Sequence, residues 1–223
     1  MVTVTWKKTI PSIIMRIIFC LMAVIVSANI SAQICPCEST TVKPHQQRSG
    51  AKHVENYDDF ILKEDTITVK YIYKWQKKYK AKTAIIKTNP TNPASKRQHD
   101  TPEDSLYILK GFMWFVKQED NDCDLHIEIG TKDSAATRII VEVPKENQEL
   151  QNKIFEKLES LHLKIVNCTI SNPKKAHFKT PLPVIIVGLG FYDASHKPDT
   201  NHGDAHSKKY SWELHPVKEI IFE

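Results

Sequence analysis

The chain has no apolar run long enough for a comfortable membrane span. Its longest, Ile17 to Val26, falls well short of the about 20 residues a helix needs to cross a bilayer. A small residue before a cysteine, as lipid attachment at that cysteine requires, is also missing: Phe19 precedes Cys20 and Ile34 precedes Cys35. Nor does the chain carry a strong charge of one sign once its first 32 residues are set aside. The formal net charge is +5, but Lys7, Lys8 and Arg16 are the only charged residues in 1–32, leaving 28 basic against 26 acidic residues and a net +2. Such a balance argues against blind binding to nucleic acid through bulk charge.

What the N-terminus does contain is ordered like an export signal. The basic residues come first, the short apolar core follows, and small residues lead to Ile30-Ser31-Ala32. We read residues 1–32 as a signal peptide cleaved after Ala32, with Met15 as an alternative start. The expected address is periplasmic or extracellular, with no stable membrane anchor after cleavage. An oxidising compartment permits disulfides among Cys35, Cys37, Cys123 and Cys168, and three full pairings stay open. Cys35-Pro36-Cys37 reads as part of a tethered tail in preference to a redox or metal pair.

Residues 33–64 are polar and without sustained periodicity, a flexible leader. Residues 65–223 read as a single β-rich domain. Ile67, Val69, Tyr71, Tyr73 and Trp75 alternate with polar residues and predict a half-buried strand, Ile72 being the exception. Residues 88–104 are rich in turn formers. Three strands follow, Leu106–Lys117, Cys123–Ile129 and Arg138–Val143. Glu146 to about Leu163 switches to helical period, with Leu150, Ile154, Leu158 and Leu161 on one stripe. Val184–Tyr192 and Trp212–Phe222 complete the set. Three strands, a helix and two strands match a small five-stranded OB-like barrel over about 105–223, with an added N-terminal strand. Gly111, Gly188 and Gly190 fall mid-strand, where such a barrel bends.

The chemistry concentrates in three acid-plus-histidine clusters. In a strand, residues two apart share a face, so Asp122, Asp124, His126 and Glu128 project to one side while Leu125, Ile127 and Ile129 face the core. Carboxylates plus an imidazole are what a divalent ion binds, although Asp and Asn near a hairpin also occur for backbone reasons. Glu213 and His215 share a face of the last strand, and Pro216 breaks the ladder beside them. Asp193 and His196 end the fourth strand. The segment between His196 and Trp212 adds Asp199, His202, Asp204 and His206, read as a polar surface loop ahead of a metal-binding tract. His45, His53, His99, His162 and His177 lack patterned partners.

Taken together, Thr101-Pro102-Glu103-Asp104-Ser105, the Lys117 strand end, Asp122-x-Asp124-x-His126, Glu142-Val-Pro144, Gly190-Phe-Tyr-Asp193-x-x-His196 and Glu213-Leu-His215-Pro216-Val217 resemble an uncharacterised family of small exported bacterial proteins. The resemblance covers about residues 101–222 and implies a shared site without naming its activity. The long segment between His196 and Trp212 departs from the family pattern.

Three functions compete. In a metal-dependent hydrolase acting on phosphodiesters, Asp122, Asp124, His126 and His215 hold one divalent ion, which activates water. Lys117 steadies negative charge, while His196 and Glu213 act as catalytic partners. The alternative is a non-catalytic OB-like binding module for an oligonucleotide or oligosaccharide, using Tyr71, Tyr73 and Trp75 with Lys74, Lys77, Lys78, Lys80 and Lys82. In the third, the acid and histidine groups form a purely structural polar network.

Overall fold

The computed structural model describes residues 52, 54, 56–80, 97–119, 122–163, 165–166, 169–170, 178–193 and 211–223. The expected signal peptide, Cys35, Cys37, His45, His53, Lys82, Cys168, His177 and residues 194–210, His196 among them, lie outside them. Among the described residues no helix is long and apolar enough to cross a membrane.

A short 3-10 turn, Tyr57–Asp59, leads into β1 (Ile61–Ile67) and α1 (Val69–Lys78). The 3-10 turn Pro102–Asp104 then precedes β2 (Ser105–Gln118), β3 (Leu125–Thr131) and β4 (Ser134–Val143). Next come α2 (Gln148–Ser160), the two-residue strands β5 (Ile165–Val166) and β6 (Thr169–Ile170), then β7 (Leu182–Tyr192) and β8 (Trp212–Phe222). The ring β3-β4-β8-β7-β2 closes through a β2–β3 pairing. Every contact in this ring is antiparallel except β4–β8, where Val141 meets Leu214 in parallel. A closed five-stranded barrel, with a helix between its third and fourth strands, is the OB-like architecture expected from the sequence. The added strand is β1, parallel to β2.

Alternation along the strands builds the core. Leu125, Ile127 and Ile129 point inward with Ile139, Val141 and Val143 across the ladder, all buried. Helix α2 presents Leu150, Ile154, Phe155 and Leu158 to this core, while its N-cap Asn147 accepts the Leu150 N–H at 3.2 Å. Satisfying an otherwise orphaned donor in this way fixes where the helix starts. Leu161, the expected last member of the stripe, lies past the helix end and is exposed. Gln151 Nε2 donates to the carbonyls of Cys123 (3.1 Å) and Val143 (3.0 Å), tying α2 to the ends of the strands that carry the acidic groups.

The expected strand over residues 66–76 is corrected: the strand runs Ile61–Ile67 and residues 69–78 are helical. Val69, Ile72 and Trp75 are the buried face of α1, and Trp75 packs on Tyr107 at 4.7 Å and Trp212 at 5.6 Å. Burying three large apolar side chains contributes about 1.5–3 kcal/mol each, which outweighs the mild preference of Val, Ile, Tyr and Trp for strands.

Gly190 answers to close approach more than to bending. A Cβ there would overlap the Pro102 carbonyl. The β7–β8 register slips between Gly188↔Val217 and Gly190↔Leu214, placing an extra residue on β8 at His215-Pro216. This is the ladder break expected at Pro216, and such a bulge re-aims the neighbouring side chains.

Candidate functional site

The loop from β2 to β3 sets the first acidic group. Glu119 N–H donates to the Asp124 carbonyl (2.9 Å) and Cys123 N–H to the Glu119 carbonyl (3.1 Å). Cys123 sits at φ 68°, a conformation that costs a non-glycine residue free energy. It is disulfide-bonded, and its carbonyl accepts from Gln118 Nε2 and Gln151 Nε2. With that turn fixed, Asp124 Oδ1 accepts the Lys145 N–H at 3.0 Å. Its Oδ2 is buried, has no hydrogen-bond partner among the described residues and lies 3.6 Å from His215 Nε2.

The second group comes across the β3–β4 ladder, where His126 stands opposite Glu142. Their Nδ1 and Oε1 atoms are 3.4 Å apart, and Glu142 Oε2 reaches His215 Nδ1 at 2.8 Å. That short contact misses hydrogen-bond geometry, since neither ring nitrogen of His215 has an aligned partner. Glu213 Oε1 lies 3.4 Å from the same Nδ1. The bulge on β8 turns His215 into this cluster, and Arg97 holds its backbone there. The Arg97 guanidinium donates to the carbonyls of His215 (2.7 Å), Gly190 (2.7 Å) and Glu103 (3.2 Å). Glu103 completes the clamp by accepting the Tyr192 and Gln98 N–H groups at 2.9 and 2.7 Å.

Lys52 closes the cluster from the segment ahead of the barrel. Its ammonium lies 3.6 Å from Glu142 Oε2 and 4.0 Å from Asp193 Oδ2, over the Phe191 ring. Asp124, His126, Glu142, Asp193, Glu213 and His215 are all buried, none more than 5% exposed. Several carboxylates therefore crowd one lysine, in surroundings made drier by Phe191 against the His215 ring.

The electrostatics follow from that crowding. Burial, then the charges of Asp122 and Glu142, pushes Asp124 up to about 8. Burial, with Glu142 and Asp193, drives Glu213 well above the usual carboxylate range. Burial would raise Glu142 too, but Lys52, His126 and His215 hold it well below that range. For Lys52 burial acts downward, and Glu142, Asp193, Glu213 and Asp122 overcome it, leaving the ammonium above the ordinary lysine value. His215 is lowered, first by burial, against the opposing pull of Glu142.

Ligating atoms of Asp124, Glu142 and His215 lie within 4.8 Å of one another. Two carboxylates and an imidazole, with the buried Asp124 Oδ2 and His215 Nε2 lacking hydrogen-bond partners among the described residues, suit a divalent ion bound through oxygen and nitrogen. Of the expected metal-binding residues, the structure brings together Asp124, His126 and His215, with Glu213 beside them. Asp122 stays at the margin, its Oδ1 accepting the Asp124 N–H at 3.4 Å. Lys117 neighbours His126 in the ladder, but its ammonium pairs with Glu119 at 3.1 Å and is not in the cluster. Glu128 shares the face of His126 and bonds Arg138 at 2.6 Å instead. His196 lies outside the described residues.

Sequence reasoning reached Glu142 only through the family resemblance, missed Lys52, and left Asp193 without a role of its own. The expected aromatic platform is corrected as well. Trp75 is core, Tyr73 donates its hydroxyl to the Arg138 carbonyl (2.8 Å), and Tyr71 alone of the three is largely exposed. A cavity of about 570 Å³ lies elsewhere, lined by Asn147, Leu150, Lys153, Glu156, Lys218 and Glu219 among others, and shares no residue with the cluster.

No family model matches the chain, and no curated protein matches it. Among solved structures, a chain in the crystal structure of yeast Stn1 and Ten1 is similar, with a TM-score of 0.31 and 12% identity. The match covers 71% of this chain and 63% of that one, so this chain spans less than two thirds of its neighbour's length. A likeness that distant carries no functional argument. The OB-like assignment stands on the ring order and the parallel β4–β8 contact.

Proposed function

We propose that the protein is an exported, non-catalytic OB-like binding domain whose ligand at the carboxylate–histidine cluster is a divalent cation. The observation that carries this reading is the burial of every carboxylate and histidine in the cluster together with two ligand atoms, Asp124 Oδ2 and His215 Nε2, that face each other at 3.6 Å and have no hydrogen-bond partner among the described residues. A hydrolase must present its metal to a scissile bond, whereas these groups are enclosed. Orphaned buried polar atoms cost about 1–3 kcal/mol each, and a bound cation removes that cost. Asp124, Glu142 and His215 would hold the ion; Glu213 and His126 would orient them, as outer-shell carboxylates and imidazoles do. Export is supported by the order of charge, apolar core and small residues in 1–32.

The test is a melting curve with chelator and with added Mn²⁺ or Zn²⁺, run beside a turnover assay on a single-stranded oligonucleotide. The expected result is a cation-dependent rise in melting temperature that His215→Ala abolishes, with no cleavage. Cation-dependent cleavage lost in the same variant would restore the hydrolase.

A second reading concerns helix α1. Lys70, Lys74, Lys77 and Lys78 are exposed along α1 beside the half-exposed Tyr71, which supports weak binding of an oligonucleotide or oligosaccharide there. Salt-sensitive binding reduced by Lys74→Glu and Lys78→Glu together tests it.

A further inference from the structure

Among the described residues, Lys52 is the one member of the cluster that comes from ahead of the barrel's own strands, and Tyr57 and Phe60 after it are seated on the barrel. Tyr57 donates its hydroxyl to the Val217 carbonyl at 3.3 Å and lies under the Lys218 ammonium at 5.6 Å. Phe60 stacks under Arg97 at 5.5 Å, the same arginine that clamps the His215 backbone. Lys52 is therefore joined to the cluster by an ion pair, and Tyr57 and Phe60 to its supports by ring and carbonyl contacts.

An ammonium and a divalent ion want the same oxygens. Lys52 Nζ is 3.6 Å from Glu142 Oε2, which also faces His215 Nδ1 at 2.8 Å. Glu142 is one of the three residues whose ligating atoms gather for a metal. Lysine carries a compact point charge on a flexible stem, able to enter such a cluster and to leave it. Its single positive charge cannot balance Asp124, Glu142, Asp193 and Glu213 once all four are ionised. A divalent ion supplies more charge but cannot share Glu142 with an ammonium this close, because like charges at about 4 Å repel strongly away from bulk water.

We propose that Lys52 is a built-in competitor for the cation: it occupies the cluster when no ion is bound, and ion binding expels it and loosens the segment that carries it. This rests on the cation reading above and adds a consequence to it. Occupancy of a buried centre becomes visible at the surface, as a change in residues 56–60.

Equilibrium dialysis of Zn²⁺ and Mn²⁺ against the full chain tests this with wild type, Lys52→Met, Lys52→Gln and Lys52→Arg. Hydrogen exchange of residues 56–60 in wild type, with and without ion, accompanies it and needs no variant. Lys52→Met and Lys52→Gln are expected to bind about tenfold more tightly or better than wild type. Lys52→Arg, which keeps the charge, should stay near wild type, and exchange at 56–60 should quicken when the ion binds. Equal or weaker binding by the neutral variants, or unchanged exchange in the loaded wild type, overturns this proposal alone. An absence of ion binding in every variant overturns the cation reading and this inference with it.

Discussion

Raising the pH from about 6.5 to 8 in the presence of chelator should destabilise this protein, the reverse of what ordinary paired carboxylates produce. Asp124 is raised from 3.8 to about 8, by burial first and then by Asp122 and Glu142. Its contribution to stability is fully present below pH 3.8 and is lost as the pH climbs through about 8, because the unfolded chain gives up a proton that the folded chain keeps. Glu213 is raised by burial, Glu142 and Asp193, and acts in the same direction. His215, lowered from 6.5 chiefly by burial, works the other way, but only as the pH falls below its unfolded value. Glu142 is held below 4.5, so its contribution is present above that pH and lost only in acid. Lys52 stays charged throughout. Within the cluster, the raised carboxylates alone act between about 6.5 and 8. One retained proton is worth about 1.4 kcal/mol per pH unit. Asp124 by itself should therefore cost about 2 kcal/mol over this span, or about 4–8 °C in melting temperature for a domain of this size. Urea midpoints at closely spaced pH values read the slope directly. Asp124→Asn should flatten it by about one proton's worth. A wild-type stability that is level or rising over the span, or an Asp124→Asn slope equal to wild type, refutes the electrostatic account of the cluster.

Three further outcomes follow from single contacts. Glu128→Ala leaves Arg138 buried without the carboxylate it bonds at 2.6 Å, and should cost about 3–5 kcal/mol; replacing Arg138 by Met in the same chain should recover most of it, as chemical denaturation will show. Gly190→Ala drives a methyl group into the Pro102 backbone and should lower stability by about 1–3 kcal/mol, whereas a neutral melting curve would mean that this approach is loose. Ile154→Ala opens a hole beneath α2, where the side chain is fully buried, and should cost about 2–5 kcal/mol in urea unfolding.

Much of the barrel was legible because strand alternation and helical period rarely coincide. Leu125, Ile127 and Ile129 could only be one face of a strand, and Leu150, Ile154 and Leu158 only one face of a helix. Residues 67–75 satisfied both periods. Ile67, Val69, Tyr71, Tyr73 and Trp75 alternate, but Val69, Ile72 and Trp75 are also three apart, and the helix buries that set. Ile72, the exception to alternation, was the signal that the helical period was the right one. The site divides along the same line. Asp124 with His126, and Glu213 with His215, share a strand face and could be paired by spacing. Glu142 joins them through the β3–β4 register, which sets it opposite His126, and no local spacing encodes a register. Lys52 arrives from a polar leader whose placement depends on tertiary contacts such as Tyr57 with Val217. Lys117 shows the converse: it neighbours His126 in the ladder, but its long side chain pairs with the nearby carboxylate of Glu119, a choice that strand spacing does not encode.

The central claim is that Asp124, Glu142 and His215 hold a divalent cation, and isothermal titration of Zn²⁺ and Mn²⁺ into chelator-stripped protein near pH 7.5 tests it most directly. The account predicts about one ion per chain, the stoichiometry of a single three-residue donor set, and loss of binding in Asp124→Asn and in His215→Ala while both variants remain folded. Wild-type protein that takes up no ion, or takes it up equally well in both variants, contradicts it.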